Sequence, residues 1–289
     1  MGIAVTQYPL ISIITAVRNG APFLVPLIES VLQQDYPNFE HIIIDDGSTD
    51  GGATVQILAS YPHLHWWSRE NKGQYATQNE GIATARGELI SVISADDVYF
   101  SPHTFSRVYE CWSVHPEVEL IYGKTLHMDT SGTLLPYQVD ITGDYPKWLM
   151  RYYEYIQHCS LFISRSFLVQ SGVLFDGSFK YAGDWDWISR LVSTSTQIRY
   201  LNEPLSIIRD HPNQTSRRVT AQARELEHRR VCTNNHSAYF GHLLMTKLTQ
   251  YRAMTLIATA TLRTVGVGGL FRLGNHWLHR KFAKDNKAD

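Results

Sequence analysis

The chain has 289 residues, 44% of them hydrophobic and 18% charged, which suits one large domain with an appendage and excludes a disordered chain. A formal net charge of −1 excludes the overall basic bias of a nucleic-acid-binding surface. The charge is uneven, however: residues 251–289 hold seven Lys/Arg against two acids, a tail of +5 on a body of −6. A basic tail predicts an anionic partner such as a membrane face. Cys111, Cys159 and Cys232 form neither a CxxC nor a zinc pattern, which predicts free thiols in a reducing compartment. The sequence shows no secretory leader and no uncharged apolar run of the roughly 18 residues that a membrane span needs; the expected location is the cytoplasm.

Taken in chain order, Leu10-Ile11-Ser12-Ile13-Ile14 is the short apolar run of a buried parallel strand. Leu24, Leu27, Ile28, Val31 and Leu32 then fall on one face of a helix. His41 to Ile44 makes a second strand that runs into Asp45-Asp46-Gly47-Ser48. A helix, a strand over Leu64–Trp67, a helix over Gln74–Ala85 and a strand over Leu89–Ile93 follow, the last ending in Ser94-Ala95-Asp96-Asp97. Such alternation predicts an α/β fold, a doubly wound, mostly parallel sheet flanked by helices. Ligands of these sheets bind beyond the carboxyl ends of the strands, where both aspartate pairs fall. Further on, a helix is expected from Pro102 to about His115, a strand at Leu120–Tyr122, an aromatic-rich stretch over Tyr137–Tyr155 and a helix over Trp185–Val192. The chain from about Thr220 reads as helical, interrupted by Gly266, Gly268 and Gly269.

The acidic clusters carry the chemistry. Asp45 to Gly51 reads either as a capped turn or as a nucleotide site in which a carboxylate accepts from a base or ribose. A calcium loop starting at Asp46 would need Glu at its twelfth position, which is Ile57. Asp96 and Asp97, adjacent carboxylates at a strand end, repel unless a cation or donor joins them. They suit Mg2+ or Mn2+ with a phosphate-bearing substrate, against the plainer reading of a solvated turn. In Gly183-Asp184-Trp185-Asp186-Trp187 a carboxylate beside apolar rings suits a general base, and Asp184 could equally cap the next helix. His211 stands alone, a pattern more often structural than ligating.

In this order, the stretches Ser12 to Asn19, Asp45 to Asp50, Lys72-Gly73-Gln74 with Asn79 to Glu88, Ser94 to Asp97 and Gly183 to Leu191 resemble the family 2 inverting glycosyltransferases of the glycosyltransferase A fold. The resemblance spans about Pro9 to Ser216. It implies a catalytic domain over 1–216, with a nucleotide-binding half 1–99 and an acceptor half 100–216, and a C-terminal helical extension over 217–289. It implies that Thr15 and Val17 line the base pocket, that Asp46 accepts from the ring nitrogen of uracil or thymine, and that Lys72, Gln74 and Asn79 belong to the donor site. Asp96 would contact the donor's ribose, Asp97 would ligate the metal on its diphosphate, and His211 matches a position that in some members assists. Asp184 would deprotonate the acceptor, with Asp186 as the alternative. Two departures stand out: Ser94-Ala95 replaces the usual Asn-Ser before the aspartates, and Trp187-Ile188 replaces Leu-Trp after Asp186.

The implied function is transfer of a sugar from a UDP- or dTDP-sugar to a hydroxyl of a glycan or lipid-linked acceptor in cell-surface polysaccharide synthesis. Residues 251–289 would contact the inner membrane face or pack on the domain or a dimer partner. A nucleotidyl- or phosphotransferase should carry a phosphate loop, and no GxxxxGK[ST] is present. A non-catalytic nucleotide- or glycan-binding protein on the same fold is the rival from another class.

Overall fold

The computed structural model describes residues 8–135, 142–248 and 251. Ile11–Val17 forms β1, Phe39–Asp45 β2, His65–Ser68 β3 and Leu89–Val92 β4, parallel neighbours in the order β3-β2-β1-β4. Only Ala16 of β1 is not fully buried, because helices cover both faces, and the strand is apolar nearly throughout for that reason. Alternate residues point to opposite faces. Ile11, Ile13, Val17 and Ile43 meet Leu24, Leu27, Ile28 and Val31 of α1 (Leu24–Leu32) and Leu58 of α2 (Ala53–Ala59). Ile14, Ile42 and Ile44 share the opposite cluster with Tyr75 and Ile82 of α3 (Gln74–Thr84). Gly87 enters where β1 starts: a Cβ there would lie 2.6 Å from the Leu10 carbonyl oxygen, closer than any side chain allows.

The second half supplies β5 (Val98–Tyr99), α4 (Thr104–Val114), β6 (Leu120–Met128), β7 (Leu161–Ser164), α5 (Arg165–Ser171), α6 (Gly183–Thr194), β8 (Ile198–Arg209), α7 (Thr215–Arg218) and α8 (Ala221–Asn234). The sheet continues β4-β7-β6-β8-β5. β7 is antiparallel to both β4 and β6, β5 is antiparallel to β8, and β6 and β8 are parallel. The mostly parallel sheet expected from the sequence is therefore present, with antiparallel strands in its second half. Pro204 lies inside β8, where it cannot donate to the ladder; the register slips beside it, around Gly123, Lys124 and Thr125 of β6.

One compact unit runs to His242 and a second covers 243–289. The boundary expected after residue 216 falls inside the first, which includes α7 and α8. Of the second unit, residues 243–248 and 251 are described, and they are helical. Most of the basic tail, residues 252–289, and the start of the aromatic stretch, through residue 141, lie outside the described residues. Among the described residues no helix is long and apolar enough to cross a membrane, and Cys111, Cys159 and Cys232 form no disulfide.

Candidate active site

Because β2 and β3 lie on one side of β1 and β4 on the other, the strand order reverses between β1 and β4. That is the crevice where doubly wound sheets bind ligands. The loops after β1, β2 and β3 are knit together there. Asn19, held at φ +54°, donates its N–H to Ser48 Oγ at 2.8 Å and accepts the Thr49 N–H at 2.7 Å. Asp45 accepts from Ser48 N–H and from the Ser48 and Ser68 hydroxyls, so it serves the turn. Gly47 lies at φ +74°, and a Cβ on it would come 2.9 Å from Asn71 N, so the second loop closes on the third only with glycine.

Asp46 is the hub. Its buried carboxylate accepts from the Arg69 guanidinium, from Lys72 N–H at 2.8 Å and from Gly73 N–H at 3.0 Å. Burial alone would raise its pKa; the Lys72 amide and the Arg69 side chain outweigh it and hold the group below the ordinary carboxylate range. Thr15 is fully buried, with its hydroxyl 3.3 Å from His41 Nε2, and Val17 is packed in the core. The Lys72 side chain is exposed and 3.6 Å from Glu80, and Gln74 is exposed at the start of α3. The Asn79 amide pairs with the backbone of Phe175, donating to its carbonyl at 2.8 Å and accepting its N–H at 2.9 Å. Asn79 thereby ties α3 to the segment that leads toward α6.

At the end of β4, Asp97 is buried beside Asp96. Burial, and then the Asp96 charge, push its pKa well above the ordinary carboxylate range. Arg209, at the end of β8, braces this turn: its backbone N–H donates to Asp97 Oδ1 at 3.1 Å and its Nε to the Asp96 carbonyl at 3.1 Å. The Arg209 guanidinium carbon lies 5.0 Å from the Phe23 ring centre. His211 Nε2 meets Asp96 Oδ2 at 2.8 Å, while its buried Nδ1 has no hydrogen-bond partner. Among the described residues no three His, Cys, Asp or Glu side chains converge as a metal-binding group. The residues still fit a hard divalent cation: a buried carboxylate that burial drives toward its neutral form gains most from a positive charge. Mg2+ and Mn2+ commonly take one or two carboxylates and complete their shells with water and substrate phosphate.

Asp184 lies in the first turn of α6. Trp185 and Trp187 on either side are buried and donate their indole N–H groups to the Met150 and Val173 carbonyls. Gly183 is glycine because the Tyr75 ring occupies its side-chain position, 2.5 Å from a Cβ built there. Tyr75 Oη accepts the Gly183 N–H and donates to the Tyr181 carbonyl. No side chain of its own caps α6. Instead Glu227 of α8 accepts the N–H groups of Lys180, Tyr181 and Ala182, each at 2.8 Å. Asp184 is partly open, and burial raises its pKa above the ordinary value. Its Oδ2 lies 3.6 Å from His158 Nδ1, and His158 Nε2 lies 2.9 Å from Ser94 Oγ. That contact places Asp184 beside the β4 end. Asp186 is fully buried, with its carboxylate taken by Arg190 and by Asn234 of α8 at 2.8 Å. The sequence reading missed Arg69, His158, Arg209 and Glu227 as site residues.

Comparison with known proteins agrees with this architecture. The sequence model of "Glycosyl transferase family 2" matches residues 12–176. An uncharacterized glycosyltransferase of Rickettsia typhi is 31% identical over 229 residues, 77% of this chain and 70% of that protein. The O-antigen biosynthesis protein RfbC of Myxococcus xanthus is 29% identical over 69% of this chain and 16% of its own length. An uncharacterized glycosyltransferase of Rickettsia bellii is 35% identical over 45% of this chain; the matching region spans about a fifth of that longer protein. In fold, the chain is similar to S. aureus TarS 1–349 in complex with UDP-GlcNAc, with a TM-score of 0.63 and 18% identity over 76% of this chain and 64% of that one. It is also similar to the mannosyltransferase PcManGT of Pyrobaculum calidifontis in complex with GDP-Man and Mn2+, with a TM-score of 0.57 and 16% identity over 94% and 81% of the two chains. The fold is thus of the glycosyltransferase A type, and the chain belongs to glycosyl transferase family 2.

Proposed function

We propose that the chain transfers a sugar from a nucleoside-diphosphate sugar, with UDP- and dTDP-sugars as the first candidates, to a hydroxyl of a glycan or lipid-linked acceptor, inverting the anomeric carbon. The observation that carries this reading is the gathering of Asp46, Asp96, Asp97 and Asp184 at one end of the sheet, through the knit loops and the Ser94–His158–Asp184 contact. Family membership, and the UDP-GlcNAc and GDP-Man in the complexes named above, support it. The O-antigen name of the Myxococcus protein supports a place in cell-surface polysaccharide synthesis.

In this mechanism Asp46 and the amides it organises would hold the base, Asp96 the ribose, and Asp97, with His211 as a second candidate, a divalent cation. A cation bound there would supply positive charge for the leaving diphosphate. Asp184 accepts the proton of the acceptor hydroxyl as that oxygen attacks the anomeric carbon from the face opposite the diphosphate. One displacement inverts the centre. Asp97 gives the reading its test: thermal shift with UDP-, GDP- and dTDP-sugars, with and without Mn2+. A donor that binds stabilises the fold by mass action. The shift should need the cation and vanish in Asp97→Ala, while the unliganded melting temperature stays near wild type or rises. An undiminished shift in EDTA counts against the metal. No shift with any nucleotide sugar favours a protein that kept the fold without the activity.

A further inference from the structure

We infer that His158 is a positioning residue for Asp184, anchored by Ser94 so that its other ring nitrogen orients the Asp184 carboxylate. The inference rests on the reading of Asp184 as the acceptor's base. His158 is only 8% exposed and opens the tight turn His158–Ser160, which leads straight into β7 beside β4. Its Nε2 is engaged with Ser94 Oγ, while its buried Nδ1 makes no hydrogen bond and stands 3.6 Å from Asp184 Oδ2. An imidazole between a hydroxyl and a carboxylate is best arranged with its proton toward the carboxylate. The Ser94 hydroxyl then donates to Nε2, and Nδ1–H faces Asp184.

The arrangement has two effects. Asp184 Oδ1 already accepts the Trp185 N–H; a donor at Oδ2 fixes the carboxylate's rotation and leaves that oxygen's second lone pair for the acceptor hydroxyl. The same donor favours the ionised carboxylate, which burial opposes. The other groups facing Asp184 do not replace it. Glu227 of α8 acts in the opposite sense, and the Tyr75 hydroxyl of α3 is committed to Tyr181 and Gly183. Tyr181, which also faces Asp184, brings no positive charge of its own.

The test uses the full chain and the variants His158→Ala and Ser94→Ala. Aspartate carboxyl carbons labelled with 13C are titrated by NMR, with Asp184→Asn identifying the Asp184 signal. We expect the Asp184 midpoint to rise by about one unit in His158→Ala, the size of a lost neighbouring donor or charge, and by less in Ser94→Ala. The acid limb of nucleoside-diphosphate release from the donor found by thermal shift should move to higher pH by the same amount, with donor affinity and the high-pH plateau unchanged. If His158→Ala does not fold, Ser94→Ala, a milder change at a partly exposed position, carries the test. An unmoved Asp184 midpoint in the folded variants overturns the inference. A midpoint that moves while the acid limb of turnover stays in place leaves the contact standing and sinks Asp184 as the base.

Discussion

Asp184 and Asp186 are two positions apart on α6, yet only the first keeps a carboxylate open to a ligand. Asp186→Asn disturbs a buried carboxylate that bonds Arg190 and Asn234, so its effect should appear as lost stability, about 1–3 kcal/mol, read by chemical denaturation. Asp184→Asn should leave stability and donor binding near wild type and lower turnover by about 10²–10⁴-fold. The opposite pattern would reverse the assignment. The aspartates themselves were legible in the sequence because each follows a strand or opens a helix, a local signal. Arg69, Arg209 and His158 were not, since their partners lie 23, 113 and 64 residues away and nothing in the flanking sequence marks the pairing.

Among the elements, α8 has a part that its sequence does not announce. It reads as a polar helix, yet Glu227 holds three amides of the turn that delivers Asp184, and Asn234 holds Asp186. Removing the acceptor leaves three N–H groups competing for water, so Glu227→Ala should lower both the melting temperature and turnover. Glu227→Gln keeps one acceptor oxygen and should fall between Ala and wild type in both measurements. Equal turnover in all three would confine α8 to packing. The parallel strands and their helices were legible because apolar runs alternate with amphipathic periods. The strands β5, β7 and β8 were not: β5 has two residues, β7 four, and β8 carries Glu203 and Pro204, which read as a loop.

At the scale of the molecule, the basic tail gives the sequence its main charge asymmetry. Leu256, Ile257, Leu262, Val265, Leu270, Phe271, Leu273, Trp277 and Leu278 lie among its basic residues, a composition suited to the surface of an anionic bilayer. We propose that the tail brings the enzyme to lipid-linked acceptors at the inner membrane face. In vesicle sedimentation the full chain should pellet with anionic vesicles more than with neutral ones, less so as salt screens the charges. A chain ending at Gln250 should stay in solution. If the two chains sediment alike, the tail serves packing or dimer contact instead.

In the proposed donor site, Asp46 accepts from Arg69, Lys72 and Gly73, bonds within the chain that fix the loop around it. A receptacle fixed by the chain's own bonds is cast rather than moulded around its guest, and a cast site loses little chain freedom when filled. Donor binding to the wild-type chain should therefore give a heat-capacity change no larger than the apolar surface of the base accounts for. Arg69→Ala loosens the casting, so part of the loop must order on contact. Calorimetry should then find weaker binding with a more negative heat capacity, the thermal mark of a site that its own ligand has to finish.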